Sequence, residues 1–308
     1  MTLPLTSSTQ PQPPEDPADF KALVEQLRPE LHRYCARMVG SVVDAEDVVQ
    51  EALAKAYASL PATTVANMRG WLFRIAHNKA VDHLRRARHE QLEYLDEQAL
   101  LVEPDLQVEE QEMVAVALSV FLKLAPKQRS CVILKDVMGY SLAEISELLD
   151  ATIPEIKAAL HRGRVRLREL SGSFSEDASI SLVRPVAEQE QRLLARYIDR
   201  FNAHDFDAVR AMLADEVRLD LVNRLKLSGI TAVGEYFHNY EQAERWHLAL
   251  GTVEQRPAIL VYTDREQLSP PIYFILLTWD AGRVALIRDY RYVPYIISNA
   301  EMEEISQC

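Results

Sequence analysis

The sequence predicts a multidomain protein in which all-α segments precede one α+β segment. Glycine is scarce, at 9 of 308 residues, or about 3% against a usual ~7%, which favours helices over turn-rich β folds. Helical periodicity runs from about residue 20 to 170, whereas strand-like runs and 8 of the 12 tyrosines follow residue 190. A length of 308 residues allows at least two domains, since one domain typically takes ~150.

Composition and charge exclude several classes of protein. No stretch approaches ~20 consecutive apolar residues, and the N-terminus lacks a basic-then-apolar signal pattern, so we expect neither a membrane-spanning nor a secreted protein. Cys35, Cys131 and Cys308 have neither disulfide-framework nor zinc-ligand spacing, which favours a cytoplasmic protein without a metal or cofactor. The net charge of −12 argues against general attraction to nucleic acid or membrane, although segments differ sharply in charge.

The chain divides by composition into six segments. Residues 90–112 carry nine acidic residues and no basic one, which is typical of a solvated linker. The six segments are a disordered tail rich in Pro, Ser, Thr and Gln (1–17), a first helical domain (18–89), an acidic linker (90–112), a second helical domain (113–170), a second linker (171–186) and an α+β domain (187–302).

The first strong helix is predicted over 45–60. Apolar residues from Val48 to Leu60, Tyr57 among them, recur at three- and four-residue spacing and form one core-facing stripe. Asp44 is the candidate N-cap, and Pro61 ends the helix. The remaining polar face is either a solvated helix start stabilised by the helix dipole or a binding surface. Its residues are Asp44, Glu46, Asp47, Gln50 and Glu51.

A second helix, predicted over 68–88, carries a net charge of +5. Trp71 and Phe73 cannot both face the core, since residues two apart point to different sides of a helix. Single-stranded DNA requires cations for phosphates, rings for stacking and an amide for a base edge. A buried Trp71 with solvated arginines is equally compatible with the sequence. The candidate DNA-binding residues are Trp71, Arg74, Asn78, Arg85 and Arg86.

Two capping boxes mark a helix-turn-helix. A helix is predicted over 126–138, with Pro at its first position and Gly139 at its end. Ser141–Glu144 and Thr152–Glu155 each place a hydroxyl residue three positions before a Glu, which indicates a helix start. The turn at 150–152 then joins two helices, and in this motif the second helix enters the major groove.

The second helix of this motif, about 153–170, has a net charge of +3. Apolar residues such as Ile156 and Leu160 hold it on its neighbours, which leaves the basic residues for base edges and phosphates. A plain helical bundle without DNA contact is the alternative. The candidate DNA-binding residues here are Glu155, Lys157, Ala158, His161, Arg162 and Arg164.

Four stretches stand in a characteristic order: DAEDVVQEA (44–52), GWLFRIAHNKAVDHLRR (70–86), LAPKQRSCVILKDVMGYSLAEISELL (124–149) and IKAALHRGRVRL (156–167). Together they resemble bacterial RNA polymerase sigma factors of the extracytoplasmic-function (ECF) group. The resemblance implies that the polar face at 44–51 binds the polymerase and that helix 68–88 melts and reads the −10 promoter element. It implies that the helix from 153 reads the −35 element, and that the acidic linker threads toward the RNA exit path. Pro154 departs from many relatives, so a relative's promoter sequence is not transferred.

Residues 187–302 resemble the SnoaL-like branch of the cystatin/NTF2-like α+β cone. The residues that carry this are EQRLLARYIDRFNAHDFDAVRAMLA (190–214), VRLDLV (217–222), AILVYT (258–263) and IYFILLTWDAGRVALIRDYRYV (272–293), with a hairpin turn at 280–282. The resemblance implies a conical pocket. Asp289 is either a general base there or, the favoured expectation, a strand aspartate paired with Arg288 or Arg291. The candidate pocket residues are Tyr236, Trp246, His247, Trp279, Asp289 and Tyr292.

The resemblance therefore implies a non-enzymatic transcription initiation factor. Its partners are core RNA polymerase and promoter DNA, and its own C-terminal domain docks on the sigma domains and regulates them, as in sigma factors that carry such a fused tail. One alternative is a ligand-sensing helix-turn-helix regulator that acts without polymerase. A second is a sigma factor whose tail is an active isomerase or cyclase.

Overall fold

The computed structural model describes residues 17–60, 67–95, 121–172, 188–241, 246–263 and 270–305. These residues form two compact units that divide near residue 180. The predicted disordered tail and most of both predicted linkers lie outside the described residues. No helix in these ranges is long and apolar enough to cross a membrane.

The N-terminal unit is helical, as predicted. Its core combines buried residues of three long helices, including Leu31, Val49 and Leu72, and a second group of helices packs against them. The elements are α1 (Pro17–Val39), α2 (Val42–Ser59), α3 (Met68–Leu95), α4 (Pro126–Val132), a π-helical segment (Ile133–Val137), α5 (Leu142–Leu149) and α6 (Ile153–Gly172).

Two predictions for α2 are wrong: the residue that caps its start, and the burial of Tyr57. Ser41, not Asp44, is the N-cap, and its hydroxyl accepts a hydrogen bond from the Asp44 backbone N–H at 3.0 Å. The helix begins earlier than predicted because Val42 and Val43 are buried in the core. Tyr57 is 46% exposed rather than part of the core, and its ring meets Phe20 edge-on at 5.0 Å between centroids.

The predicted helix over 126–138 is α-helical only to residue 132. It continues as the π-helical segment, in which the Met138 N–H bonds to the Ile133 carbonyl at 2.9 Å. Gly139 ends it with a φ of +78°, which glycine adopts without strain. Helix α3 likewise continues to Leu95, past its predicted end and into the predicted acidic linker.

Both predicted capping boxes are confirmed. Ser141 and Glu144 exchange backbone and side-chain hydrogen bonds at the start of α5, and Thr152 and Glu155 do so at the start of α6. These bonds satisfy backbone N–H groups that lack partners inside the helix. Asp150 takes a left-handed φ of 52° between the two helices and completes the turn.

The C-terminal unit is α+β, as predicted. Its sheet has seven strands in the order β2-β1-β6-β5-β4-β3-β7, and only the pair β1–β6 is parallel among the pairings described. The elements are α7 (Glu188–Asn202), α8 (Phe206–Ala211), β1 (Leu213–Leu221), β2 (Leu225–Ser228), α9 (Ile230–Glu241), β3 (His247–Val253), β4 (Arg256–Tyr262), β5 (Tyr273–Asp280), β6 (Arg283–Asp289), α10 (Pro294–Ile297) and β7 (Met302–Glu304).

Helices cover one face of this sheet. Helix α7 packs on β3 and β4, and α9 packs on β1 and β2. Alternate strand residues such as Leu250, Ile275 and Ile287 meet the apolar sides of these helices in one buried cluster, because successive strand residues point to opposite faces. The predicted hairpin turn joins β5 to β6, with positive φ at Ala281 and Gly282.

Candidate functional site

The predicted polar face of α2 lacks one of its members. Glu46 is fully buried and forms an ion pair with Arg28 of α1, so it is not part of an exposed face. Its Oε1 atom also accepts a hydrogen bond from Gln50 Nε2 at 3.2 Å. A carboxylate is tolerated inside the helical bundle because the guanidinium and the amide replace its hydration. The other four residues of the face, Asp44, Asp47, Gln50 and Glu51, are half-buried.

Glu51 lies where α2 meets α3. Its Oε2 atom accepts a hydrogen bond from Lys79 Nζ at 3.0 Å, and its other oxygen lies 3.5 Å from Arg86 Nη2. The hydrogen bond from Lys79 is the main cause that lowers the pKa of this carboxyl. The predicted polymerase-binding face is thus joined to the predicted DNA-binding helix by ion pairs.

The two aromatic residues near the start of α3 lie on different sides, as predicted. Phe73 is buried, whereas Trp71 is half-buried at the surface, with its ring 6.4 Å from Phe20. Asn78, Arg85 and Arg86 are exposed on the same helix. Helix α3 therefore presents an amide and two cations to solvent beyond its packed N-terminal turns.

Arg74 is engaged by the helix-turn-helix. Its Nη2 atom donates to the Glu147 carbonyl at 3.3 Å, and its Nη1 atom lies 3.5 Å from an Asp150 carboxylate oxygen. Asn67, just before α3, donates to the Glu147 carboxylate at 2.8 Å. The predicted −10 residue Arg74 thus already has acidic and carbonyl partners within the unit.

Helix α6 exposes its predicted DNA-binding residues. Ile156 and Leu160 are buried against the unit, and Gly163 lets α6 approach α4, because a Cβ there would lie 2.8 Å from Val132 Cγ2. The opposite side of the helix faces solvent. Its exposed residues are Glu155, Lys157, Ala158, His161, Arg162 and Arg164.

Two of these residues have structural partners. Arg164 makes two hydrogen bonds to Asp136, at 2.9 and 2.5 Å, which raise its pKa and fasten α6 to the π-helical segment. Glu155 belongs to the capping box, where the Thr152 backbone N–H is the main cause that lowers its pKa. Within the part of the chain that the structure describes, Lys157 and Arg162 differ from Arg164 in forming no ion pair with the rest of the motif.

Sequence reasoning missed the contacts that hold the helix-turn-helix on α1 and α3. Tyr140 donates a hydrogen bond to Glu30 and accepts one from Arg69 Nη2 at 2.6 Å. Arg129 is buried and donates to the backbone carbonyls of Met38 and Leu124. The partners are as many as 110 residues apart, and no local pattern in the sequence indicates them.

In the C-terminal unit, Asp289 is buried on the sheet face that the helices cover. Its Oδ2 atom accepts a hydrogen bond from Tyr236 Oη at 2.5 Å, and its Oδ1 atom accepts one from the Arg291 backbone N–H at 2.8 Å. The expected partner Arg291 is therefore present through its main chain. Its guanidinium stacks on Trp246 at 4.6 Å and on Tyr292 at 5.7 Å from the ring centroids.

Two candidate pocket residues lie apart from this group. Ile275 pairs with Asp289, and Trp279 follows it by four positions on β5, or about 13 Å at ~3.3 Å per residue. His247 lines a separate cleft with Asn202 and Glu304. In the described ranges, no group of His, Cys, Asp and Glu is arranged to hold a metal ion.

Comparisons with known proteins agree with this architecture. Residues 23–90 match the family model Sigma-70 region 2, and residues 117–167 match Sigma-70, region 4. The chain is 32% identical over 165 residues to the ECF RNA polymerase sigma factor SigW of Bacillus subtilis, which covers 49% of this chain and 87% of SigW. The chain belongs to the ECF RNA polymerase sigma factors.

A second relative matches a larger share of the chain. The ECF RNA polymerase sigma factor SigG of Mycobacterium tuberculosis is 31% identical over 225 residues, and the match spans 64% of this chain and 60% of SigG. The crystal structure of the extracytoplasmic function sigma factor SigJ of M. tuberculosis covers 89% of this chain, with 20% identity and a TM-score of 0.33. A putative ketosteroid isomerase from Kribbella flavida covers 33%, with 19% identity and a TM-score of 0.27.

Proposed function

We propose that this chain is an alternative sigma factor that binds core RNA polymerase and directs it to promoters through −10 and −35 elements. The observation that carries the proposal is the exposed basic side of α6, presented by a helix-turn-helix with both capping boxes formed. Lys157 and Arg162 lie on this side, where base edges and phosphates of a major groove can reach them.

Helix α3 supports the part of the proposal that concerns the −10 element. Asn78 is exposed between the packed start of the helix and the two cations Arg85 and Arg86. An amide can bond to a base edge, while cations hold the backbone of a single strand. We infer that this side of α3 contacts the opened −10 element.

The net charge of −12 is compatible with this function because the polymerase supplies much of the affinity for DNA. In our proposal, the half-buried acids Asp47 and Glu51 of α2 meet a basic surface of the polymerase. The free protein alone would then bind DNA weakly, since the chain as a whole is acidic and net positive charge is concentrated in segments such as α3 and α6.

Transcription in vitro tests the proposal directly. Core polymerase is incubated with a genomic fragment library, with and without the purified chain, and transcript starts are mapped. We expect starts that need both the chain and the core enzyme and that share two upstream elements. Specific operator binding by the free chain, with no polymerase-dependent transcript, would instead indicate a stand-alone helix-turn-helix regulator.

We further infer that the C-terminal unit regulates the sigma unit by docking and has no catalytic step of its own. Both Asp289 oxygens already accept hydrogen bonds, from Tyr236 and from a backbone N–H, which supports a structural role over that of a general base. The 15 residues between α6 and α7 reach up to ~50 Å when extended. A tether of this length gives an effective concentration near millimolar, so a weak contact would be well occupied.

Cross-linking of the full-length chain, followed by mass spectrometry, tests docking. Transcription by a chain ending at Gly172 tests regulation, and we expect a severalfold change in either direction. Turnover of a ketone or polyketide substrate that Asp289→Asn abolishes would instead support an enzymatic tail.

A further inference from the structure

The basic side of α6 contains a cation that is already bound inside the protein. Lys157, His161 and Arg164 follow one another at intervals of four and three residues, so their side chains form one row along the helix. All three are exposed. Arg164 donates from Nε at 2.9 Å and from Nη2 at 2.5 Å to the two carboxylate oxygens of Asp136. We call this pair, Asp136 and Arg164, the clip.

The clip uses the donors that a DNA phosphate would need. A guanidinium binds a carboxylate or a phosphate through a fork of two N–H donors. In the clip, both prongs of the Arg164 fork are directed at Asp136. The carboxylate therefore competes with a phosphate for the same donors, and Arg164 is withheld from DNA while the clip is formed.

The π-helical segment places the acid of the clip. The Met138 N–H bonds to the Ile133 carbonyl at 2.9 Å, five residues back rather than the four of an α-helix. Within this turn, the adjacent side chains have different partners. Lys135 donates to the Tyr140 carbonyl at 3.1 Å, whereas Asp136 faces α6. The segment therefore presents a carboxylate, and not its cation, to Arg164.

Close packing beside the clip fixes the backbones of its two partners. Gly163 directly precedes Arg164, and a Cβ on Gly163 would lie 2.8 Å from Val132 Cγ2. Val132 is buried and lies four residues before Asp136. The separation between the two backbones is thus determined by the contact of α6 with α4, independently of the ion pair.

We propose that Asp136 limits the affinity of α6 for DNA by withholding Arg164 from the phosphate backbone. The inference rests on the proposed sigma function, in which Lys157 and Arg162 contact the −35 element. Arg164, unlike these two, makes no DNA contact in the unmodified protein. Because a phosphate contact strengthens binding to every sequence alike, the clip lowers the affinity for all DNA and leaves base reading to the neighbouring residues.

The salt dependence of DNA binding tests the proposal in the holoenzyme. Core polymerase is combined with the full-length chain carrying Asp136→Asn, Arg164→Gln or both changes. Fluorescence anisotropy then gives the affinity for a promoter fragment and for an unrelated fragment of equal length. We expect Asp136→Asn to bind both fragments more tightly at low salt. One added phosphate contact steepens the fall of log affinity with log salt by ~0.9, or roughly a 3.5-fold greater loss between 50 and 200 mM.

The other two variants separate withholding from a merely structural role. Arg164→Gln breaks the same ion pair as Asp136→Asn, so a loss of stability would affect binding in both variants. It releases no cation, and we expect its salt dependence to match that of the unmodified chain. The double variant should behave like Arg164→Gln. A steeper salt dependence in the double variant would show that the Asp136 charge acts by repelling DNA directly, and it would overturn the proposal.

The remaining outcomes distinguish this inference from the proposed function, with Lys157→Ala as the reference. Unchanged salt dependence in Asp136→Asn, together with weaker promoter binding in Lys157→Ala, would overturn the inference and leave the proposed function standing. A gain in Asp136→Asn at the promoter fragment alone would mean that released Arg164 reads bases, which also contradicts the proposal. If neither variant alters DNA binding, α6 does not meet DNA, and the proposed −35 contact fails.

Discussion

Lys79 donates a 3.0 Å hydrogen bond to Glu51, so a cation of α3 is tied to an acid of α2. Arg86 adds a second contact to the same carboxylate. In the proposed holoenzyme, Glu51 faces the polymerase and Arg86 faces DNA. A basic polymerase surface that engages Glu51 would therefore compete with Arg86 and free it for a phosphate, which links the two binding events.

The proposed polymerase contact predicts the effect of reversing its charge. Asp47→Lys combined with Glu51→Lys should weaken binding to core polymerase, since two surface charge contacts of ~0.2–1 kcal/mol each are lost and replaced by repulsion. Binding is measured by titrating labelled chain with core enzyme. Glu25→Lys, an exposed change on α1, is the control. Equal affinity of the unmodified chain, the double variant and the Glu25→Lys control would show that this face does not contact the polymerase.

The exposed side of α6 predicts a difference between its basic residues. Lys157→Ala and Arg162→Ala should each reduce −35-dependent transcription. If the residue contacts a base, the variant should lose ~1–3 kcal/mol of discrimination between promoter sequences. If it contacts a phosphate, binding should weaken equally for all sequences. Arg164→Ala should instead lower the stability of the unit, because Arg164 is held by Asp136. Promoter libraries and thermal unfolding distinguish the two effects.

The exposed amide of α3 predicts a defect in promoter opening. Asn78→Ala should lose permanganate reactivity at the −10 thymines while upstream binding by holoenzyme is kept. Trp71→Ala should do the same, with some loss of stability because the Trp71 ring lies near Phe20. Asp82→Asn, exposed on the same helix, is the control. Normal opening in Asn78→Ala would exclude this side of α3 as the melting surface.

The buried pair Arg28–Glu46 predicts a stability effect without a direct binding effect. Glu46→Gln leaves the guanidinium without its charge partner, and breaking a buried pair typically costs ~3–5 kcal/mol. Urea unfolding measures the loss. Because Glu46 is buried, the affinity of the folded variant for core polymerase should stay close to that of the unmodified chain. A large drop in that affinity at full folding would contradict the structural role.

Two histidines of the helical unit, buried His32 and half-buried His77, predict loss of stability in acid. Burial lowers the pKa of His32 and of His77 to about 4 from 6.5. Each therefore binds a proton more readily in the unfolded chain, so its contribution is complete above pH 6.5 and declines as the pH falls toward 4. Shifts of this size correspond to roughly 3 kcal/mol per group. Urea unfolding at pH 7.5, 6 and 5 measures the decline, and a flat profile would contradict it.

The features that the sequence predicts well depend on residues close together in the chain. Ser141 and Glu144 are three residues apart and define a helix start by themselves, and the turn before Arg283 is similarly local. The misses involve distant partners. Glu46 has the polarity of a surface residue, and only Arg28, 18 residues earlier, makes its burial possible. The partner of the Tyr140 hydroxyl is likewise distant, since Glu30 lies 110 residues earlier on α1.

The parallel pairing of β1 with β6 has a consequence for the time course of synthesis. Leu219 of β1 pairs with Ile287 of β6, so β1 lacks this neighbour until 68 more residues have been added. At roughly 5–20 residues per second, this takes about 3–14 s. The helices through α6 are already made by then. Each newly made molecule therefore passes through an interval in which the helical N-terminal unit is complete and the C-terminal unit has not yet folded.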